Sequence, residues 1–357
     1  MNPTLRVLIL TPTAFPSISG NAITAERWRR ALTKKGIAVK VLESEGLNPL
    51  SFLAHLQRFS PDLLHVHHAF RAGALLVDPR VALQRTGLAV VASPGGTDIN
   101  VDLGIPERRE TILRIFQSAR IIVVQSPEII QSFAKHLPDL ADRIVRVPKN
   151  VCWFGDETYD LRGAAECTPE NVLFLLPAGI RPVKGNLECL RIMERVHDMR
   201  PKIRFVAAGP VVDVEYAGRF EQDMNRLTAF ARWIQAIPSP AMRSAYEASD
   251  IVLNTSYSEG LSNCLLEAIA AGRPILASDI PGNRWPIMGE DGDLPAGCLY
   301  DLRNPEDFVG KAIRLIDDED FRKSLGRAAR SRKSRLSDVE DEADGLIAAY
   351  SAALAKS

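Results

Sequence analysis

The sequence predicts an α/β protein built as two doubly wound, mostly parallel sheets facing a central cleft. Two observations carry that expectation. Short apolar, β-branched runs alternate with longer stretches of helical period almost from end to end, the pattern of successive βαβ units. The alternation pauses once, over residues 151–169, and then restarts, so one linker divides two similar halves. A chain of 357 residues is long enough for two domains of ordinary size.

The elements follow in order. Residues 6–11 form a buried-strand run, followed by a loop rich in Pro, Ser and Gly. Helical period runs from Ala22 to Lys35, and Gly36 supplies the stop. Strands at 38–42, 63–67, 89–92 and 120–125 complete the first half, each ending in a polar or Gly/Pro loop. Beyond the linker, strands are expected at 171–176, 203–208, 233–236, 251–254 and 274–277, with helices between them. The tail, 305–356, reads as helical throughout. The expected domains are 1–168 and 169–335.

Composition narrows the function classes. Lys plus Arg number 44 and Asp plus Glu 44, and this balance argues against a dedicated nucleic-acid binder. Hydrophobic residues at 46% and charged residues at 25% are ordinary globular values, not those of a disordered chain. With aromatics at 6%, the core must come mainly from Val, Ile, Leu and Ala. The five cysteines (Cys152, Cys167, Cys189, Cys264, Cys298) form no C-x-x-C pair. Neither a disulfide framework nor a zinc site is expected, and a reducing cytoplasm is the expected compartment. Arg6 interrupts the first apolar run, which reads as a strand and not a signal peptide. No window of 18 apolar residues is present, so no membrane span is expected.

Ligands of open α/β sheets bind beyond the carboxyl ends of the strands, so those loops come first. The first, 16–21 (PSISGN), holds Gly20 and Asn21. A glycine there lets backbone N–H groups approach a phosphate or sugar at the start of the following helix; the same spacing also suits a plain turn. The strongest stretch is 258–268 (SEGLSNCLLEA), a strand-to-helix loop. Backbone amides around Gly260, Leu261, Ser262 and Asn263 suit a diphosphate at a helix start. Glu259 can reach hydroxyls of a hexose, and Glu267, two turns on, those of a ribose. A capping acid and a solvated helix glutamate are the plainer alternative. The loop 179–185 (GIRPVKG) carries Arg181 and Lys184, two cations placed to neutralise a departing diphosphate, or simply two surface cations.

Glu259-x7-Glu267, Arg181 with Lys184, the segment 274–278 after Ala271-Gly272, and the Gly20 loop together resemble family 4 of the retaining GT-B glycosyltransferases. The resemblance covers nearly the whole chain. Four further segments, 19–27 (SGNAITAER), 95–100 (GGTDIN), 209–213 (GPVVD) and 279–283 (DIPGN), resemble the group called glycosyltransferase 1 domain-containing proteins. The Gly-Asn and Thr-Asp elements are also similar to the selenosugar synthases of selenoneine biosynthesis, a more distant cousin.

The resemblance implies a GT-B fold of two Rossmann-like domains, with a final helix at 336–357 packing back on the first. It implies transfer of a hexose from a nucleotide diphosphate sugar, UDP-linked by family habit, to an unidentified acceptor with retention and without a metal. Arg181 and Lys184 would hold the donor diphosphate, Glu267 the ribose and Glu259 the transferred sugar. Gly20 and Asn21 are also assigned to the donor, and the loop 236–238 (AIP), with Ile237 at its centre, is a candidate wall for the base. The leaving phosphate would help deprotonate the acceptor on the same face. Two departures stand out. Many relatives have Arg-x4-Lys where this chain has Arg-x2-Lys, which leaves open which cation meets which phosphate. Many also carry a histidine in the loop after the fourth strand. Here that loop, 94–98, ends in Asp98, which is assigned to the sugar or acceptor. A selenosugar- or thiosugar-forming transferase, a nucleotide-sugar 2-epimerase and an inactive nucleotide-binding scaffold are the alternatives.

Lesser signals complete the reading. His65, His67 and His68 resemble a histidine-bearing loop of the family, with His67 facing the cleft. They lack the carboxylate or thiolate company of a zinc site. The D-x-D of Asp291 and Asp293 reads as a solvated turn. The basic helix at 25–35, with Trp28, suits either a weak peripheral contact with an anionic membrane or a solvated face. Cys264 is expected to be a small packing residue.

Overall fold

The computed structural model describes residues 4–84, 87–290, 292–333 and 339–356. The chain divides into two compact units. The first holds β1 (Arg6–Thr11), β2 (Ala38–Glu43), β3 (Leu63–His67), β4 (Ala89–Ser93), β5 (Ile121–Val124) and β6 (Ile144–Arg146). The second holds β7 (Val172–Pro177), β8 (Ile203–Ala208), β9 (Ala231–Ile234), β10 (Ile251–Asn254), β11 (Ile275–Ser278) and β12 (Gly297–Tyr300). Every pairing is parallel.

The first sheet runs β2-β1-β3-β4-β5-β6 and the second β12-β11-β10-β7-β8-β9. Strand order therefore reverses between β1 and β3 in one unit and between β7 and β10 in the other. At such a reversal the connecting helices leave on opposite faces and open a crevice at the strands' carboxyl ends. The inner strands are buried on both faces, as in Val7–Leu10 and Leu173–Leu176. Such strands read as continuous apolar runs instead of alternating ones.

Three expectations need correction. The strand expected at 233–236 lies two residues earlier, with Ala231 opposite Phe205. The edge strands β6 and β12 were not anticipated, because runs of three and four residues carry too little pattern to read. Residues 151–169 are not a free linker. A turn of helix at Leu161–Ala164 buries Leu161 and Ala165 against Leu173 and Leu175. The Tyr159 N–H donates to Ser244 Oγ at 2.8 Å, and Arg162 pairs with Asp250 at 3.0 Å. The units accordingly part after Asn150 and not after residue 168. The boundary expected at 335/336 lies outside the described residues.

The helix Val339–Ala355 belongs to the first unit. It seals one face of the first sheet, where Leu346, Ala349, Tyr350 and Ala353 pack with Val7, Ile9, Trp28 and Val91. Its anchor is polar. Glu342, fully buried, accepts from Arg27 Nε at 2.8 Å and Nη2 at 3.0 Å, and from Trp28 Nε1 at 2.7 Å. Gln125 Nε2 at 3.1 Å and the Asn150 N–H at 3.2 Å complete the set.

This arrangement corrects the membrane reading of the first helix, Gly20–Lys34. Arg27 and Trp28 are spent inside the fold. Arg29 and Arg30 both bind Glu26, at 2.6 and 2.8 Å, and Lys35 binds Asp344 at 3.0 Å. The basic run is largely neutralised and its tryptophan is not at the surface. No helix among the described residues is long and apolar enough to cross a membrane.

Candidate active site

In the second unit the loops after β7 and β10 flank the reversal of strand order. The β7 loop folds through Asn186, whose buried Oδ1 accepts from the Arg181 N–H at 3.2 Å. A 3-10 turn at Pro182–Lys184 follows, and then Gly185 with a left-handed φ of 63°. Glycine is required there twice over, since an added Cβ would also lie 2.5 Å from the Thr255 carbonyl oxygen. That close approach stitches the two loops together. Thr255 Oγ1 donates to the Lys184 carbonyl at 2.9 Å, and the Tyr257 N–H donates to the Val183 carbonyl at 2.9 Å.

The stitching brings Lys184 Nζ to 2.5 Å from Glu259 Oε1. The same oxygen accepts from Ser256 Oγ at 2.7 Å and from Asn254 Nδ2 at 3.4 Å. Burial pushes the Glu259 carboxyl up, but the charge of Lys184 and these hydrogen bonds outweigh it and hold the acid below the usual glutamate value. It is an ionised carboxylate beside a fixed cation. The Glu259 backbone crosses Gly282 so closely that a Cβ there would sit 2.5 Å from its carbonyl oxygen.

Asn254, the last residue of β10, is the hub beneath this loop. Its Nδ2 donates to Ser262 Oγ at 2.9 Å and lies 3.3 Å from Cys264 Sγ. Its Oδ1 accepts from the Ser256 N–H at 3.1 Å and from Asn283 Nδ2 at 3.2 Å. Ser262 occupies the N-cap position of the helix Asn263–Ala270 but makes no side-chain cap bond, because its hydroxyl is turned to Asn254. The positive end of that helix dipole therefore keeps its pull on an anion. Farther along the helix, Glu267 Oε2 accepts from the hydroxyl of buried Tyr246 at 2.7 Å. Burial pushes the Cys264 thiol up to about 11, so it is not a thiolate nucleophile at neutral pH.

Arg181, Lys184, Glu259, Gly260, Leu261, Ser262, Asn263 and Glu267 thus lie on two neighbouring strand ends and the helix that follows. Ile237 does not join them. Its side chain is 2% exposed and packs in the core beside Ala241 and Ala245, so a base could meet only its exposed neighbours Ala236 and Pro238. Sequence reasoning missed Asn254 and Tyr246, and took Asn283 only as the end of the 279–283 segment. The signal for Asn254 was a polar residue closing the apolar run of β10.

In the first unit, Gly20 opens its helix behind Ser19, whose Oγ caps the Ala22 N–H at 3.2 Å, and Asn21 follows half-buried. Asp98 departs from expectation. It is fully buried, with Oδ2 taking the Ala69 and Gly95 N–H groups at 2.7 and 3.2 Å and Oδ1 those of Gly96 and Ile99 at 3.0 and 3.1 Å. A short acid in a turn folds back onto nearby amides. Asp98 therefore shapes the loop and does not present an oxygen to a sugar or acceptor. In the D-x-D segment, Asp293 Oδ2 accepts from the Glu290 N–H at 3.1 Å within a turn, and Asp291 lies outside the described residues.

The three histidines are also interior. Ser93 Oγ bridges His65 Nε2 and His67 Nδ1, each at 2.9 Å, and Trp28 stacks on His65 with ring centroids 4.8 Å apart. The Arg71 N–H donates to His68 Nδ1 at 3.2 Å, so Nε2 carries the proton toward Thr97 Oγ1 at 2.9 Å. His67 is buried and not displayed, which corrects its expected exposure. Burial lowers all three, His65 to about 3 from the ordinary 6.5.

Below pH 6.5 the unfolded chain takes up protons that the folded histidines refuse. Stability is therefore full above that value and falls with pH, by about 1.4 kcal/mol per pH unit for each histidine held neutral. Acid titration of the first unit's unfolding free energy should show this slope beginning near pH 6.5. His65→Gln should reduce it.

Residues 165–332 match the family described as glycosyl transferases group 1, a span holding every strand of the second unit. The second unit is a group 1 glycosyltransferase domain. The chain is 26% identical over 318 residues to glycosyltransferase 1 domain-containing protein 1 of Xenopus tropicalis, covering 86% of this chain and 87% of that protein. It is 28% identical over 179 residues to D-inositol 3-phosphate glycosyltransferase of Segniliparus rotundus, covering 49% of this chain and 38% of the other. Among solved structures it resembles sucrose-phosphate synthase from Thermosynechococcus elongatus, with a TM-score of 0.80, 16% identity and coverage of 99% and 100%. It also resembles Anabaena HepE in complex with UDP-glucose, with a TM-score of 0.77, 15% identity and coverage of 97% and 99%. The protein is a glycosyltransferase with the GT-B fold.

Proposed function

We propose that this glycosyltransferase moves a hexose from a nucleotide diphosphate sugar, UDP-linked, to its acceptor with retention of anomeric configuration. The observation that carries the reading is the Lys184–Glu259 contact of 2.5 Å at the meeting of two strand ends. It places a fixed cation and an ionised acid one contact apart, as a diphosphate joined to a polyhydroxylated sugar requires. Arg181 and Lys184 take the diphosphate, helped by the backbone of 260–263 at the helix start. Glu267 binds the ribose, and Glu259 binds hydroxyls of the hexose. These cations and the helix dipole supply the charge a leaving diphosphate needs, so the reading calls for no metal.

The first unit takes the acceptor. The leaving phosphate accepts the acceptor's proton on the same face of the sugar, which gives retention. The Anabaena HepE structures with UDP-glucose, and with UDP and glucose, support a UDP-linked donor. The structure of starch synthase IV from Arabidopsis thaliana holds ADP and acarbose, so the base needs its own test.

Thermal unfolding with UDP, GDP, ADP and their sugar conjugates provides that test. A ligand at 100 times its Kd stabilises by about 2.7 kcal/mol, a midpoint rise of about 5–10 °C for a domain of this size. We expect that rise with the uridine series and its loss in folded Arg181→Ala and Glu267→Ala variants. The anomeric configuration of the product, read by NMR, then tests retention. If no nucleotide moves the midpoint, the donor assignment falls.

A further inference from the structure

Tyr246 has no place in the chemistry described so far, yet its hydroxyl is bound to one of the two acids in the site. The residue sits on the short helix Met242–Ala248, one strand before the loop of Glu259. Its ring is fully buried in the core with Leu265 and Ala268, and Trp153 packs against it at a ring-centroid distance of 5.9 Å. Its position is therefore set by the fold. From there its hydroxyl donates to Glu267 Oε2 at 2.7 Å. Burial and the neighbouring Glu267 push the phenol well above its ordinary value, so it remains a donor at every pH at which the protein is studied.

We infer that Tyr246 is a positioning residue that orients the Glu267 carboxylate and thereby sets the preference for ribose over deoxyribose in the donor. The inference rests on the nucleotide-sugar reading above. A glutamate on a half-exposed helix face has three rotatable bonds and samples several rotamers. Anchoring one oxygen on an immobile phenol fixes the plane of the carboxylate and its reach along the helix. A carboxylate held this way can discriminate a ligand hydroxyl sharply, because the analogue lacking that hydroxyl leaves the fixed oxygen without its partner. An unanchored one can turn to solvent when the hydroxyl is missing, and the discrimination weakens.

The anchor arises from two segments whose sequence gives no hint of a shared role. Trp153 comes from the stretch before β7, and Tyr246 from the helix before β10.

Calorimetric titration of the full chain with UDP, GDP and ADP, each beside its 2′-deoxy form, tests the inference. The wild type should prefer the ribose form of its nucleotide by about tenfold or more. Tyr246→Phe keeps the ring and its packing and removes only the hydroxyl. It should weaken the ribose form by about tenfold, affect the deoxy form much less, and bring their ratio close to one. Glu267→Asp withdraws the acid from the phenol without touching the buried ring, and should narrow the ratio in the same way if the Phe variant does not fold.

A Tyr246→Phe protein that folds and keeps the wild-type ratio overturns the assignment, as does a wild type that binds both forms equally. If no nucleotide binds the wild type, the donor reading itself has failed and this inference goes with it. Purely structural damage would weaken both forms alike and leave the ratio intact, which also counts against the proposal.

Discussion

Lys184→Ala should lower the rate of nucleoside diphosphate release from the donor sugar by about 10²- to 10³-fold in kcat, the loss expected when one preorganised charge is removed from a developing anion. The effect is expected in kcat and not mainly in KM, because negative charge accumulates on the leaving diphosphate only as the glycosidic bond breaks. Lys184 suits this task because the loop around it cannot shift. Gly185, the Thr255 hydroxyl and the Tyr257 amide lock its backbone to the β10 loop. Steady-state kinetics on the folded variant decide the matter. A kcat within a few fold of wild type would show that Lys184 serves only to neutralise Glu259.

The same substitution carries a pH signature. In the wild type, burial raises the Glu259 carboxyl, and Lys184 with the Ser256 and Asn254 hydrogen bonds brings it below 4.5. A depressed acid contributes stability that is fully present above its unfolded value and is lost as pH falls through the folded one. The wild-type pair therefore weakens only in acid below 4.5. Without Lys184 the carboxyl loses the largest influence that lowers it, and it rises. The variant's residual activity should then show an acid limb at higher pH than the wild type, and a pH profile of kcat records it.

How much of this was legible in the sequence depends on the length and origin of each signal. Buried strands such as Leu63–His67 and Ile203–Ala208 are runs of five or six apolar-rich residues, and both were anticipated with their observed limits. Arg181, Lys184 and Glu259 were singled out because their loops follow directly on strand ends, where ligands bind in this class of sheet. Glu267, inside the next helix, was singled out by its spacing from Glu259. What the sequence withheld was long-range pairing. Asp98 looks available until Ala69, 29 residues away, is seen to donate to it. Ile237 looks like part of a loop until its side chain is found in the core. The Asn254 hub reaches Asn283, 29 positions away, and no local pattern encodes that. The first helix reads as basic because the acid that neutralises Arg27 lies 315 positions away.

That distant acid supports the other large effect. Glu342→Ala should destabilise the first unit by about 3–5 kcal/mol, the range for removing one partner of a buried ion pair. The number is large for a physical reason: Arg27 is left charged in the interior, and the Trp28 and Gln125 donors and the Asn150 N–H lose their acceptor together. At about 2–4 °C per kcal/mol for a unit of this size, the first unit's transition should fall by about 6–20 °C in calorimetry. The helix Val339–Ala355 should become the first segment to exchange its amide protons, since Glu342 is its buried polar tie to the Gly20–Lys34 helix. A companion variant separates attraction from desolvation. Arg27→Met combined with Glu342→Leu removes both charges and keeps similar volume. It should regain a large part of the loss, because the single substitution is costly through the stranded Arg27 charge more than through the attraction itself. If the double variant is as unstable as Glu342→Ala, the stranded Arg27 charge is not the source of the loss. The helix would then depend on hydrogen bonds to Trp28, Gln125 and Asn150 that no apolar pair can replace.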